Sequence, residues 1–337
     1  MHKREIQSRI RRAAPALVLA SFLLLGCATT PEDRRTRDSD EAAERGLDIE
    51  RGPVGLVFRE LSEASSLNVV LMNGLELGQA GPYHFEKRSA AAAILEIARD
   101  MGYEIHDGPQ YIFVFAPGYE TLRDVSLSGA IDEQVARLRA DVAFGADTPL
   151  YSALALLGHT LGHTVIADNA IAGALCGEIR LKDVPLGTAL EALLQSARIS
   201  RDSFHVESTP DYTFVVSTGN IGRRTLLHGK DALTDEQAAM LGREVRVTLP
   251  FPQDDPQHLQ GRIGASTLGG VLEGLSQQLG ITVTADERMH RLPVNPVVMT
   301  NVRVATAIEL LIRQWLVPEF VYSVDDTGIR LRHMPPR

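Results

Sequence analysis

The chain has 337 residues, of which 44% are hydrophobic and 23% are charged, and its formal net charge is −9 at pH 7. This acidic balance argues against the binding of nucleic acid, which requires clustered positive charge, and against a basic surface that grips anionic lipid. The sequence contains two cysteines, too few for a disulfide framework, so stability has to come from hydrophobic cores.

The first 26 residues are predicted to be a signal peptide and not part of the fold. A stretch with five Lys or Arg precedes an apolar run over residues 13–25, which is too short to span a bilayer. The run ends in Leu-Leu-Gly-Cys at residues 24–27, which resembles the signal box of bacterial lipoproteins. This resemblance implies cleavage before Cys27 and lipidation of Cys27. Because Ala28 and not Asp follows, it also implies an outer-membrane lipoprotein that faces the periplasm. An ordinary signal peptide with a chance cysteine, or an uncleaved anchor, is the alternative.

Residues 27–46 are predicted to be a flexible tether. After Cys27 they are polar and charged and contain no apolar run, a composition that cannot form a core. About eighteen such residues reach about 25 Å, so the membrane is an expected partner through the lipid on Cys27. Residues 1–26 carry a charge of +4, so the remaining chain carries −13. Cys176 is then the remaining thiol, and its apolar neighbours predict a buried structural cysteine.

Three stretches of the chain repeat one hydrophobic pattern. Aligned without a gap, they are residues 54–73, 150–169 and 268–287. Each has apolar residues at i, i+3, i+4 and i+7, which is one face of an amphipathic helix. A short strand is predicted after each helix, over residues 67–71, 163–167 and 281–285.

A second helix and two closing strands extend the repeat. The second helix has the same apolar spacing in all copies, beginning near residues 91, 186 and 304. Two apolar runs that predict strands then follow. They are residues 103–106 with 111–116, 204–207 with 212–217, and 320–324 with 329–332. The predicted fold class is α+β, with three compact tandem β-α-β-β-α-β-β domains joined by short helical linkers.

The repeats divide the chain into three predicted domains with two linkers between them. The domains are residues 47–117, 140–218 and 244–337, and the linkers are residues 118–139 and 219–243. In the second linker Thr234 and Gln237 have the spacing of a capping box, which predicts a short helix over Asp235–Leu241.

The repeated unit is similar to the short N-terminal domain (STN domain, or secretin N-domain) shared by secretins and TonB-dependent receptors. The first copy carries the resemblance in Val-Phe-Arg-Glu-Leu at 57–61 and Leu-Asn-Val-Val at 67–70. The second carries it in Leu-Gly-Thr-Ala-Leu-Glu-Ala-Leu-Leu at 186–194. The first copy departs from the pattern at Ser66, where the others have Gly162 and Gly280, and this departure permits a different first turn.

The resemblance implies a periplasmic protein–protein interaction module without catalytic residues and without a cofactor. The sequence ends at Arg337 without the long β-rich segment of a secretin. We therefore expect a scaffold that is an accessory component of a secretin-type secretion or type IV pilus assembly system. A component of TonB-type receptor signalling or of envelope maintenance is the alternative.

No constellation of residues predicts an enzyme, so no catalytic, cofactor-binding or metal residue is assigned. His159 and His163 are four residues apart, but Gly162 interrupts them, so a helix-end or surface pair is favoured over a metal site. Asp168 and Asp286 follow strands, where Asp caps turns. A solvated helix face is expected for the equivalent glutamates Glu96, Glu191 and Glu309. An unrecognised periplasmic enzyme is the third alternative.

The third copy is expected to offer the most accessible strand edge for a protein partner. In Ile-Arg-Leu-Arg at 329–332 apolar residues alternate with arginine, which is typical of a strand with one wet face. Arg330 and Arg332 are therefore assigned to an interaction edge, and arginines that only keep the surface soluble are the alternative. The uncharged strands at 111–116 and 212–217 are expected to be covered. The expected partners are a secretin or other envelope machinery, and a homo-oligomer is compatible with the sequence.

Overall fold

The computed structural model describes residues 47–86, 88–220, 226–227, 233–248, 266–315 and 320–333. The predicted signal peptide, Cys27 and the tether lie outside the described residues. Helices and strands are mixed along the described chain, in agreement with the α+β class. Within these residues, every helix is too short or too polar to cross a bilayer.

The first segment, residues 47–115, contains two helices and seven strands. In chain order they are β1 (Leu47–Ile49), β2 (Gly52–Pro53), α1 (Val54–Ser65), β3 (Val69–Leu71), β4 (Gln79–Ala80), β5 (Tyr83–Phe85), α2 (Ala90–Asp100), β6 (Glu104–Asp107) and β7 (Ile112–Phe115). Helix α1 begins at the predicted residue, and its buried face includes the four predicted apolar positions.

The second segment, residues 139–217, has the same order of elements. They are β8 (Arg139–Phe144), β9 (Thr148–Pro149), α3 (Leu150–Leu161), β10 (Thr164–Ala167), β11 (Leu175–Cys176), β12 (Ile179–Pro185), α4 (Leu186–Ser196), β13 (Phe204–Ser208) and β14 (Tyr212–Ser217). The uncharged strands β7 and β14 are largely buried, as predicted.

The third segment, residues 244–333, adds one short helix to this order. Ahead of it lie β15 (Leu226–Leu227) and α5 (Asp235–Leu241). Its own elements are β16 (Glu244–Thr248), β17 (Ser266–Thr267), α6 (Leu268–Leu279), β18 (Thr282–Ala285), α7 (Glu287–His290), β19 (Pro293–Val294), β20 (Val298–Arg303), α8 (Val304–Arg313), β21 (Phe320–Asp325) and β22 (Gly328–His333).

The strand pairing is the same in the three segments. The strand after the first helix pairs in parallel with the last strand, which also pairs antiparallel with the strand before it. The first strand pairs antiparallel with the strand that precedes the second helix. A two-residue ladder lies at the start of the first helix. The repeated hydrophobic pattern therefore corresponds to repeated backbone topology.

Each first helix ends at a residue in the left-handed conformation. At Gly162 φ is 64° and at Gly280 it is 69°. Ser66, which occupies the same position, adopts φ 54°. The turn at Ser66 is thus the same as in the other segments, although a side chain is disfavoured in this conformation and glycine is not.

The first two segments share one hydrophobic core. It contains side chains on both sides of the first linker, from α1, β3 and β7 to α3, α4 and β12. A second core combines the third segment with Ile166, Phe214 and Val216 of the second segment. The expectation of separate compact bodies is therefore wrong at the level of packing, because apolar side chains are buried across both boundaries.

The first linker packs against the core, and the second contains the predicted helix. Within residues 118–139 the chain forms two 3₁₀ turns, Glu120–Asp124 and Val135–Arg137. The linker buries Leu122, Val125, Leu127 and Val135. In the second linker the Thr234 side chain accepts a hydrogen bond from the Gln237 amide, and the Gln237 side chain accepts one from the Thr234 amide. This confirms the capping box that the spacing predicted.

Cys176 is a buried thiol, as predicted. Its side chain is fully buried, and this burial raises the pKa of the thiol to about 12. Since the thiolate is the reactive form, such a cysteine is inert at neutral pH.

Candidate functional site

The first junction is a strand ladder between the first and second segments. β12 pairs antiparallel with β3, with Ile179 opposite Val70. This pairing produces a five-stranded sheet in the order β6-β7-β3-β12-β8. Beyond the ladder the Asn73 amide donates to the Ser196 carbonyl at 2.8 Å. The edge strand β3 of the first segment is thus covered by β12 of the second segment. Exposed edge strands bind strands of other proteins through the same kind of pairing.

Gly177 allows the two backbones to approach at this junction. A Cβ at this position would lie 2.8 Å from the Asn73 nitrogen and closer still to the Leu71 carbonyl oxygen. Both of those atoms belong to backbone, which cannot rotate away as a side chain can. The Leu71 amide meanwhile donates to the carbonyl of the next residue, Glu178, at 2.8 Å. The ladder therefore requires a residue without a side chain at position 177.

Charged side chains border the first junction. The buried carboxylate of Glu178 lies 3.0 Å from Arg180 and 3.8 Å from Arg59 of α1. Arg180 also lies 3.8 Å from Glu63 of α1. Burial raises the pKa of Glu178, and the two arginines counteract this rise. These ion pairs connect α1 of the first segment to the residues at the start of β12 in the second.

The second junction repeats the first at equivalent residues. Asn169 stands 96 positions after Asn73, and Gln314 stands 118 positions after Ser196. The Asn169 amide donates to the Gln314 carbonyl at 2.8 Å, which reproduces the hydrogen bond of the first junction. β20 packs beside β10 as β12 packs beside β3, so the second junction uses the equivalent strands.

The second junction replaces the ladder with side-chain contacts. Asn295 takes the place of Gly177, and its side-chain amide donates to the Asn169 side chain. The ladders of β20 within the described residues are confined to β16. At the second junction, the hydrogen bond between the Asn295 and Asn169 side chains thus stands beside strands that form no ladder, whereas β12 and β3 form one at the first junction.

A buried ion pair joins the third segment to the second. Arg313 of α8 donates two hydrogen bonds to the Glu207 carboxylate of β13, at 2.9 and 2.7 Å. The guanidinium also lies 4.5 Å from the ring centroid of Phe214. The Arg313 side chain is only 5% exposed. Two-pronged pairing and stacking on an aromatic ring are the interactions for which arginine is suited.

A cavity of about 590 Å³ lies where the first linker crosses the first junction. Three of its polar side chains, those of Tyr111, Gln195 and Glu191, bond to one another or to the linker. Tyr111 donates to the Gln195 carbonyl oxygen at 2.7 Å, the Gln195 amide donates to the Leu122 carbonyl at 3.0 Å, and the Leu127 amide donates to Glu191 at 2.6 Å. Burial raises the pKa of both Glu191 and Tyr111. These contacts position the linker, and they account for the perturbed groups without a ligand.

The edge assigned to Arg330 and Arg332 is wrong, because β22 is an interior strand. It pairs in parallel with β18 on one side and antiparallel with β21 on the other. Both arginine side chains are exposed on a face of the sheet, and Arg330 lies opposite Thr284 of β18. The described edge strands of this sheet are β15, which pairs with β21, and β18, which pairs with β22.

His159 and His163 have different environments. His159 lies in the last turn of α3. His163 is buried, its Nε2 lies 3.0 Å from Thr213 Oγ1, and burial lowers its pKa. In the part of the chain that the structure describes, no group of three His, Cys, Asp or Glu side chains is placed to hold a metal ion.

The two aspartates cap turns, as predicted. Asp168 accepts hydrogen bonds from the amides of Ser217 and Ala170, at 2.7 and 3.1 Å. Asp286 accepts from the amide of His333 at 2.7 Å and from that of Met289 at 3.0 Å.

The equivalent glutamates differ in exposure. The side chains of Glu96 and Glu309 are 37% and 36% exposed and pair with Arg88 and Arg313, whereas Glu191 is half-buried and accepts a hydrogen bond from the Leu127 amide.

Sequence reasoning missed the junction residues Gly177, Glu207 and Arg313. Gly177 could have been noticed in the repeat alignment, because the first segment also has a glycine at this position, Gly81. The third segment has Asn295 there. The Arg313–Glu207 pair carried none, since its partners are 106 residues apart. No protein-family model matches the chain, and a search of curated proteins finds no similar sequence.

Proposed function

We propose that this protein is a periplasmic protein–protein interaction scaffold, anchored to the outer membrane by lipid on Cys27. Its three segments act as tandem modules of the secretin and TonB short N-terminal type, joined by the linkers at 118–139 and 219–243. The proposed role is that of an accessory component in a secretin-type secretion or type IV pilus assembly system.

One observation carries this proposal: the three segments share one topology, and successive segments dock through the same edge. The amide–carbonyl bond from Asn73 to Ser196 recurs from Asn169 to Gln314. A chain built by repeating one docking contact has a series of similar surfaces, which suits the binding of other proteins. The cavity beneath the first linker favours a binding role over an enzyme, because its Gln195 and Glu191 side chains are engaged with the linker.

The lipid anchor is tested by metabolic labelling with a radioactive fatty acid in a Gram-negative host. We expect label on the parent chain and on the Cys176→Ser variant, and none on Cys27→Ser. Cell fractionation should place the labelled chain with the outer membrane. Absence of label from the parent chain, or label that survives Cys27→Ser, would contradict the anchor.

The binding role is tested by chemical cross-linking in cells, followed by purification of the tagged full chain and mass spectrometry. Recovery of a secretin or a pilus assembly protein would support the proposal. Recovery of a TonB-dependent receptor in its place would favour the signalling alternative. A chain that cross-links to no envelope protein would contradict a scaffold role.

A further inference from the structure

Among the described residues, the third segment has an unpaired strand edge in the place where the first two segments are covered. β3, β10 and β18 are equivalent strands, each paired in parallel with the last strand of its own segment. β3 is covered by β12, and β10 is covered by the third segment. Among the described residues, β18 forms no second ladder.

The first segment has the complementary open edge. β12 pairs with β8 along one edge and with β3 along the other. Its equivalent in the first segment is β5, which pairs with β1 along one edge. In the described chain, no strand pairs with the other edge of β5. The third segment thus has the equivalent of the β3 edge, and the first segment has the equivalent of the β12 edge that pairs with it.

The residues at these two edges fit the ladder form of the junction. Gly81 stands 96 positions before Gly177, so this position is again glycine. Within the chain, Gly81 has φ 85° and a Cβ there would face the Glu50 carbonyl oxygen of its own segment at 3.0 Å. Pro82 stands in the place of Glu178, whose carbonyl is the group used at the first junction. Proline retains that carbonyl. Unlike a glutamate, it also places no second negative charge opposite Glu273 of α6, which is exposed.

The β18 edge also lacks the features that prevent an edge strand from pairing with another chain. Its sequence, Thr-Val-Thr-Ala at 282–285, contains no charge and no proline, and natural edges that stay unpaired usually carry one or the other. Thr282 is exposed, and Thr284 is half-buried. On β5, His84 is exposed and Tyr83 is half-buried. Both edges are therefore accessible to a second chain.

We propose that a second copy of this chain docks the β5 edge of its first segment on the β18 edge of the third segment. The repeat register places Tyr83 of one copy opposite Thr284 of the other, as Ile179 lies opposite Val70 within the chain. The contact joins different surfaces of the two copies, so it is head-to-tail. Such contacts build rings when the rotation closes and filaments when it does not.

Self-association is measured on the full chain carrying Cys27→Ser, by sedimentation velocity over a range of concentrations. We expect the mean mass to rise with concentration. The paired variant Thr282→Lys with Thr284→Lys places two charges on the edge and should weaken self-association at least about tenfold. The matched control, Arg330→Gln with Arg332→Gln, alters the neighbouring interior strand and should leave self-association unchanged. A chain that stays monomeric at about 100 µM, a concentration at which micromolar affinities are detected, would overturn the proposal.

The register is tested by disulfide cross-linking between two single variants in the Cys27→Ser background. A mixture of Tyr83→Cys and Thr284→Cys should cross-link, whereas Tyr83→Cys with Arg330→Cys should not, although Arg330 lies directly across from Thr284. The buried Cys176 does not compete for the disulfide. Equal cross-linking of both mixtures would overturn the proposed register and the edge contact with it. This readout does not depend on the lysine variant folding.

Discussion

The guanidinium of Arg313 and the carboxylate of Glu207 form a two-pronged ion pair that links the third segment to the second. The equivalent residue at the first junction is Gln195, which accepts a hydrogen bond from Tyr111. The same position on the second helix therefore contacts the preceding segment at both junctions, with a charged pair in one and a neutral pair in the other.

Arg313→Ala is expected to destabilise the protein by about 3 kcal/mol, because it leaves the Glu207 carboxylate without its buried partner. The free energy of unfolding is measured in urea. Arg291→Ala removes an exposed i,i+4 pair with Glu287 and should change stability by less than about 0.5 kcal/mol. If the two variants lost similar amounts of unfolding free energy, burial at the junction would not increase the contribution of the ion pair to stability.

Gly177→Ala is expected to destabilise the protein by about 3 kcal/mol, because the new Cβ is driven into the backbone of residues 71–73. Gly219→Ala is the matched control, since a Cβ there meets no atom within 4 Å. Urea unfolding gives the stability of each variant. If Gly177→Ala is as stable as Gly219→Ala, the close approach of β12 to the first segment is not present in solution.

Ser66→Gly is expected to stabilise the protein by about 0.5–1 kcal/mol, because glycine adopts the left-handed conformation without strain. Gly162→Ser makes the opposite exchange at the equivalent helix end and should destabilise by about 1 kcal/mol. Both are read from the midpoint of urea unfolding. A destabilised Ser66→Gly variant would mean that chain entropy outweighs the relief of strain at this turn.

The stability contributed by Glu191 should fall as the pH rises. Burial raises the pKa of this carboxyl, so the folded protein binds the proton more tightly than the unfolded chain does. Stability is therefore lost between the ordinary glutamate value of about 4.3 and the raised folded value. Glu191→Gln cannot ionise, and its carbonyl oxygen can still accept the Leu127 amide.

Unfolding of Glu191→Gln and the parent is compared at pH 4 and pH 7. We expect the variant to gain stability over the parent on going to pH 7. Glu273→Gln, which removes an exposed carboxylate on α6, controls for the loss of one negative charge. A Glu191→Gln variant that loses stability relative to the parent at pH 7 would show that the ionised carboxylate is the favoured partner of the linker.

The positions of most helices and strands could be predicted because they depend on local periodicity, whereas the short helix α7 was not predicted. Helices α1, α3 and α6 begin at Val54, Leu150 and Leu268, at the residues where the apolar spacing begins. The two-residue ladders were not predicted, since strands of that length carry no period. β22, which contains the two arginines, was predicted to be a strand. Its interior position in the sheet was not predicted, because it results from pairing with β18, which lies more than 40 residues earlier in the chain.

The sequence by itself determined a repeated α+β unit, the buried state of Cys176 and the capping roles of Asp168 and Asp286. Each of these follows from hydrophobic spacing or from side chains that bond to neighbouring backbone. Only the tertiary structure decided that the first two segments share a core, that Gly177 and Arg313 form the junctions and that β18 pairs with β22 alone among the described strands. Those features arise from backbone and side-chain contacts between residues about 100 positions apart, and the identity of such partners is not contained in any local pattern.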